Sequence, residues 1–205
     1  MKRICLIFFF SILIFGCRKS TGSGRVARSA LNTDTLELTS KIKVTSAEEP
    51  GEMMIISGTI FLPDGKTPAM AAILSVWQTD AKGYYIEGGG GAGELHPRLH
   101  GRLKTSTDGV YEFQSVKPGQ YPSHTTPAHV HAHISAPNFP EYALIFYFEG
   151  DDLINDKNRA KLNSNRGGTP SIIVLTKNEK GVWVGHRDII LEYVKPSSET
   201  LKLQW

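Results

Sequence analysis

The 205-residue chain has only two cysteines, Cys5 and Cys17, both near its start. That excludes a disulfide framework for everything beyond residue 17, which must be held by its core or by a metal. No Lys/Arg block exceeds two residues and the formal net charge is only +3, which argues against a nucleic-acid binder. The apolar run at residues 4–15 is too short to span a bilayer comfortably. Helical character is confined to residues 156–162, and no internal repeat of useful length is present. What the chain has in quantity is Gly (20) and Pro (11), hence many turns between short strands.

Lys2 and Arg3 lead into the apolar run, which ends in Ile14-Phe15-Gly16-Cys17. This is the layout of a secretory signal, residues 1–16, and its cut site resembles a bacterial lipobox. Cys17 is then expected to be lipidated, residues 17–50 to form a flexible tether, and residues 51–205 to fold. The expected location is the bacterial cell envelope, periplasmic or outer-membrane facing. Strands are predicted at residues 55–61, 72–78, 102–105, 110–116, 128–135, 142–149, 172–177 and 183–194, split by turns such as Pro63-Asp64-Gly65 and Asn178-Glu179-Lys180-Gly181. Residues 102–105 and 110–116 flank Thr107-Asp108-Gly109 and are expected to form a hairpin, and Trp77 is expected in the core. The fold class is therefore all-β, a sandwich with long loops carrying the active site.

In Pro127-Ala128-His129-Val130-His131-Ala132-His133 three histidines alternate along a predicted strand, so all project to one face. Neighbouring imidazoles on one face can share a metal ion, and a pair of them makes half a site. His133 is the candidate bystander. A cupin would need a Glu soon after His131 and a later His, whereas the next carboxylate is Glu141, so tyrosine is the better place to look for partners.

The segment from Trp77-Gln78-Thr79-Asp80 to Gly83-Tyr84-Tyr85 resembles that of intradiol ring-cleavage dioxygenases, the protocatechuate and catechol dioxygenases. The resemblance continues through His100-Gly101-Arg102-Leu103, residues 107–113, Lys117-Pro118-Gly119-Gln120-Tyr121-Pro122, Pro127-Ala128-His129-Val130-His131, residues 147–151 and residues 188–191. It implies a prealbumin-like β-sandwich binding Fe(III) through Tyr85, Tyr121, His129 and His131, with Tyr84 competing for the place of Tyr85. Two tyrosinates and two neutral imidazoles suit ferric iron better than zinc or copper(I). The implied reaction cleaves a catechol-type substrate with O2 between its hydroxylated carbons to a muconate-type diacid, with Tyr121 taking up a substrate proton. A simple homo-oligomer is also expected, with the membrane as partner through Cys17 and no nucleic acid.

This chain departs from the family at named positions. The arginine that usually precedes Pro-Ala-His is Thr126, and a usual glutamine is Ile145. Ser123 replaces a common aromatic residue, and the linker from Tyr121 to His129 is short. Thr126 is thus the expected catalytic position of changed character, with Arg102 or His124 the candidate substitute cation; His96 and His100 could line the mouth. Two other readings are a catalytically silent prealbumin-like module, in which Tyr121 is simply core, and an iron or catechol (siderophore) binder without ring cleavage.

Overall fold

A computed structural model of the chain describes residues 37–87, 97–163 and 166–193. The expected signal peptide, Cys17 and His96 lie outside them. Two sheets face each other. One has the order β1 (Lys41–Lys43), β5 (Val110–Val116), β2 (Met53–Phe61), β10 (Trp183–His186), β9 (Leu175–Lys177), with β11 (Ile189–Ile190) also pairing β2. The other has the order β4 (Leu99–Lys104), β3 (Ile73–Gln78), β6 (His129–Ala136), β7 (Phe139–Phe148), β8 (Ile172–Ile173). The all-β sandwich read from the strand pattern is the observed architecture.

Alternation of side chains decides what each strand buries. Met54, Ile56 and Ile60 of β2 point inward, as do Leu74 and Val76 of β3 and Val130, Ala132 and Ile134 of β6. From β7 come Tyr142, Leu144, Phe146 and Phe148. The inner faces interlock, and the rings of Phe113 on β5 and Phe146 on β7 meet edge to face across the core at 5.8 Å. Each fully buried ring of this kind contributes ~2–3 kcal/mol of burial free energy. A short helix, α1 (Asp156–Leu162), lies where helical character was predicted; it is capped by Asn155 and buries none of its residues.

The structure corrects the expected tether and the expected hairpin. The tether was expected to run to residue 50, yet β1 pairs in parallel with β5, Lys41 opposite Glu112. Main-chain bonds from Lys104 N–H to Thr39 O and from Glu112 N–H to Ser40 O tie this segment to both sheets. Its short Lys-Ile-Lys pattern left little periodicity to read. Residues 102–105 and 110–116 do not form a hairpin, because β4 pairs β3 while β5 pairs β1 and β2. The turn chemistry is real, with Gly109 at φ +69 and its N–H on Ser106 O, but the turn carries the chain from one sheet to the other.

Candidate metal centre

The face of β6 turned away from the core carries His129, His131 and His133, because Val130, Ala132 and Ile134 occupy the inner face. Residues opposite one another in adjacent strands share a face. Trp77 of β3 and Ile145 of β7 therefore flank His131, and Tyr147 stands beside His129. Trp77 is not in the core: Leu74 and Val76 take the inner positions of β3, and the indole stacks on His131 with ring centroids 5.1 Å apart and planes 6° apart. Its position was readable from the same alternation that places the histidines.

Two loops cover this face. Tyr85 follows β3, and Tyr121 follows β5. They are sewn together by Gly119 N–H donating to Asp80 O (2.9 Å) and by the Thr79 hydroxyl donating to Gly119 O (3.0 Å). Gly83, at φ +86, lies so close to Gln120 that an added Cβ would sit 1.8 Å from its carbonyl oxygen. Asp80 closes the first loop, its carboxylate accepting from the N–H of Lys82 and Tyr84. Arg98 N–H donates to Tyr85 O, and its guanidinium is paired with Glu49.

The result is a convergence of four heteroatoms. The Tyr85 and Tyr121 hydroxyls are 2.6 Å apart; the Tyr121 hydroxyl is 3.1 Å from His129 Nε2 and 3.4 Å from His131 Nε2; the two Nε2 atoms are 3.0 Å apart. Tyr84 is 40% exposed, so of the two adjacent tyrosines it is Tyr85 that reaches the cluster. His129 Nδ1 lies 2.6 Å from Pro127 O. A carbonyl only accepts, so Nδ1 carries the proton and Nε2 keeps its lone pair for a ligand. Burial, then repulsion from His129 and His133, pushes the His131 pKa down to about 3, which keeps that imidazole neutral at pH 7. Burial, with Tyr121 adding to it, pushes the Tyr147 phenol up, so it stays protonated beside His129.

The other predicted residues are placed differently. His133 leaves the cluster to pair with Glu141 at 3.0 Å, its ring edge-on to Trp77. Thr126 is half-buried just before Pro127. Arg102 is exposed on β4 opposite Ser75, and with β3 between them its backbone lies ~10 Å from β6. His124, in the left-handed region at φ 49, reaches Gln120, and His100 reaches Pro97 O. Sequence reasoning missed Asp151, whose carboxylate accepts from Ala128 N–H and the Gln120 amide. It also missed Arg187, which is buried and donates to Ile145 O, Arg166 O and Thr169 O. No periodicity marks either residue.

Chemically the cluster offers two phenols that can ionise and two imidazole lone pairs, a set that fits a hard, highly charged metal ion. Among the described residues no group of three or more His, Cys, Asp or Glu is placed to hold a metal, so a metal here would draw half its ligands from tyrosine.

Comparison with known proteins bears on the same residues. A family model described as a dioxygenase matches residues 30–166, a span containing all four converging side chains. Catechol 1,2-dioxygenase 1 of Acinetobacter lwoffii is 33% identical over 133 residues, covering 57% of this chain and 42% of the relative. The protocatechuate 3,4-dioxygenase beta chain of Burkholderia cepacia is 31% identical over 123 residues, covering 56% of this chain and 52% of the relative. The chain thus spans about half the length of these curated relatives. Among solved structures, catechol 1,2-dioxygenase from Acinetobacter sp. ADP1 aligns with a TM-score of 0.58 at 18% identity, covering 77% of this chain and 58% of that one. The dioxygenase domain of a dioxygenase and carbohydrate-binding protein fusion from Streptomyces sp. SirexAA-E aligns with a TM-score of 0.56 at 22% identity, covering 76% and 90%. These two likenesses speak for the fold. With the family match extending over most of the sequence, the chain belongs to the intradiol ring-cleavage dioxygenase family.

Proposed function

We propose that Tyr85, Tyr121, His129 and His131 bind Fe(III) and that the chain cleaves a catechol-type diol with O2 between its hydroxyl-bearing carbons, giving a muconate-type diacid. The observation that carries this reading is the convergence of two phenol oxygens and two imidazole Nε2 atoms within 2.6–3.4 Å. Ferric iron, when bound, supplies Lewis-acid activation of the diol toward O2.

The chain's own groups do the rest. Tyr121 sits on a loop, and its phenolate oxygen is the base that takes a proton from a substrate hydroxyl. Pro127 O fixes the tautomer of His129. Trp77 and Ile145 flank His131 on its two sides and brace its ring. Thr126 and Ile145 bring no charge to the site, so charge developing on the substrate meets no cation from those two positions. Loss of such a charge slows turnover on the order of a hundredfold. The N-terminal pattern of Lys2, Arg3 and Cys17 supports a lipid-anchored, envelope location. No helix of the described residues is long and apolar enough to cross a membrane.

Oxygen uptake by the iron-loaded full chain with a panel of catechols tests the reading. Stoichiometric O2 consumption with formation of a diacid is expected. A coloured protein whose spectrum shifts with catechol but which consumes no O2 would instead be a binder, and a colourless, iron-free one a silent module.

A further inference from the structure

Tyr121 and His129 stand towards the two ends of the stretch that links β5 to β6, Tyr121 on the loop and His129 at the start of β6. A carboxylate from outside that stretch bridges its two ends. Asp151 lies in the turn that ends β7, with its main-chain N–H on Phe148 O. Its Oδ2 accepts from Ala128 N–H at 2.9 Å, one residue before His129. Its Oδ1 accepts from the Gln120 side-chain amide at 2.8 Å, one residue before Tyr121, and from Leu153 N–H at 3.0 Å. Gln120 is itself held at both ends. Its amide nitrogen also donates to Asp152, and its amide oxygen accepts from His124 Nδ1 at 3.2 Å. His124 N–H in turn closes on Tyr121 O at 2.8 Å.

We propose that Asp151 is a positioning residue: its carboxylate sets the separation of the Tyr121 phenol from the His129 imidazole by gripping the residue before each. This rests on the metal-centre reading above. All three partners of the carboxylate are N–H donors, so only a group with acceptors on both oxygens satisfies them together. An asparagine has the same shape but turns one acceptor into a donor. Whichever way its amide is oriented, an N–H group of Ala128 or of Gln120 and Leu153 then faces another N–H. The fault is local, and it falls on the backbone that carries a ligand.

The test uses the full chain, wild type and Asp151→Asn, with Fe(III) affinity measured by competition against a chelator, the visible tyrosinate charge-transfer band, and urea unfolding of the metal-free protein. Asp188→Asn is the control. Asp188 likewise accepts a main-chain N–H, that of Thr59, at 2.8 Å, but it lies between β10 and β11 in the other sheet. Asp151→Asn is expected to weaken iron binding ~10-fold or more and to shift the band, as changes in the groups that orient metal ligands do. Asp188→Asn, whose remaining oxygen can still accept from Thr59 N–H, is expected to leave affinity and band alone. An Asp151→Asn protein with wild-type affinity and band overturns the positioning role while leaving the metal centre standing. A wild-type chain that takes up no iron and stays colourless overturns the metal-centre reading, and the positioning role with it. If Asp151→Asn does not fold, Gln120→Met decides beside His124→Ala, since the first removes the amide's bonds to Asp151, Asp152 and His124 and the second only the bond from His124: a band shifted by Gln120→Met beyond any shift in His124→Ala supports the proposal, and anything less overturns it.

Discussion

The seam between the two tyrosine loops can be opened at one atom. In Gly83→Ala the new Cβ would stand 1.8 Å from Gln120 O, and the backbone at φ +86 is one that alanine rarely adopts. The conformational part costs ~1–2 kcal/mol. To reach ordinary contact the Gln120 carbonyl must retreat by ~1.6 Å, and overpacking of this kind costs a further ~1–3 kcal/mol. Gly181 provides the comparison, since it has φ +74 but nothing within 4 Å of an added Cβ. Gly181→Ala should therefore lose only the conformational part. Urea unfolding of the metal-free variants should show Gly83→Ala the less stable by ~1–3 kcal/mol. A carbonyl shift of that size is large beside the 2.6 Å contact of Tyr85 with Tyr121, so the same variant should also lose iron-dependent colour, and Gly181→Ala should keep it. Equal stability losses in the two variants, with colour intact in both, would refute the claim that the loops are seated on each other at Gly83.

Three other perturbations separate the site from its scaffold. His133→Ala should retain iron and colour, because His133 pairs with Glu141 rather than the cluster; metal analysis showing loss would mean that the wrong histidines were paired. Arg187→Met should destabilise the fold by ~2–4 kcal/mol in urea unfolding, by leaving Ile145 O, Arg166 O and Thr169 O short of a donor, and a loss below 1 kcal/mol would contradict that role. Glu49→Gln probes pH dependence: hydrogen bonding from Arg98 holds the Glu49 carboxyl below its usual 4.5, so the pair stabilises the fold above that value and the gain is lost as pH falls through the lowered one. The variant should be less stable by ~0.5 kcal/mol at pH 7 and equal to wild type once Glu49 is protonated; a difference that persists in acid would exclude the ion pair as its cause.

How much of this was legible beforehand varied with the physics of each element. Strands with an alternating buried face, such as β2 and β6, announced themselves, and so did the helix at 156–162. The four converging side chains were named from motifs, and strand alternation accounts for the shared face of the histidines. The resemblance puts Tyr85 ahead of Tyr84, and the loop path, which Asp80 sets through its bonds to Lys82 and Tyr84, is what brings Tyr85 to the cluster. Turn chemistry does not say which sheet a strand joins, so residues 102–105 and 110–116 read as a hairpin although they pair in different sheets. Trp77 reads as core, but strand parity puts it on the histidine face. Asp151 holds Ala128 and Gln120, and Arg187 holds Ile145, Arg166 and Thr169, all distant in sequence, a relation that leaves no local pattern.

Whether two tyrosines and two histidines bind ferric iron is decided by metal analysis with a visible spectrum on the full chain, alongside Tyr85→Phe, Tyr121→Phe and Tyr84→Phe. About one Fe(III) per chain is expected, with a red-brown tyrosinate charge-transfer band that is bleached or shifted by the changes at Tyr85 and Tyr121 and untouched by that at Tyr84. An iron-free, colourless protein, or one whose colour is lost with Tyr84 and survives the loss of Tyr85, would contradict that binding.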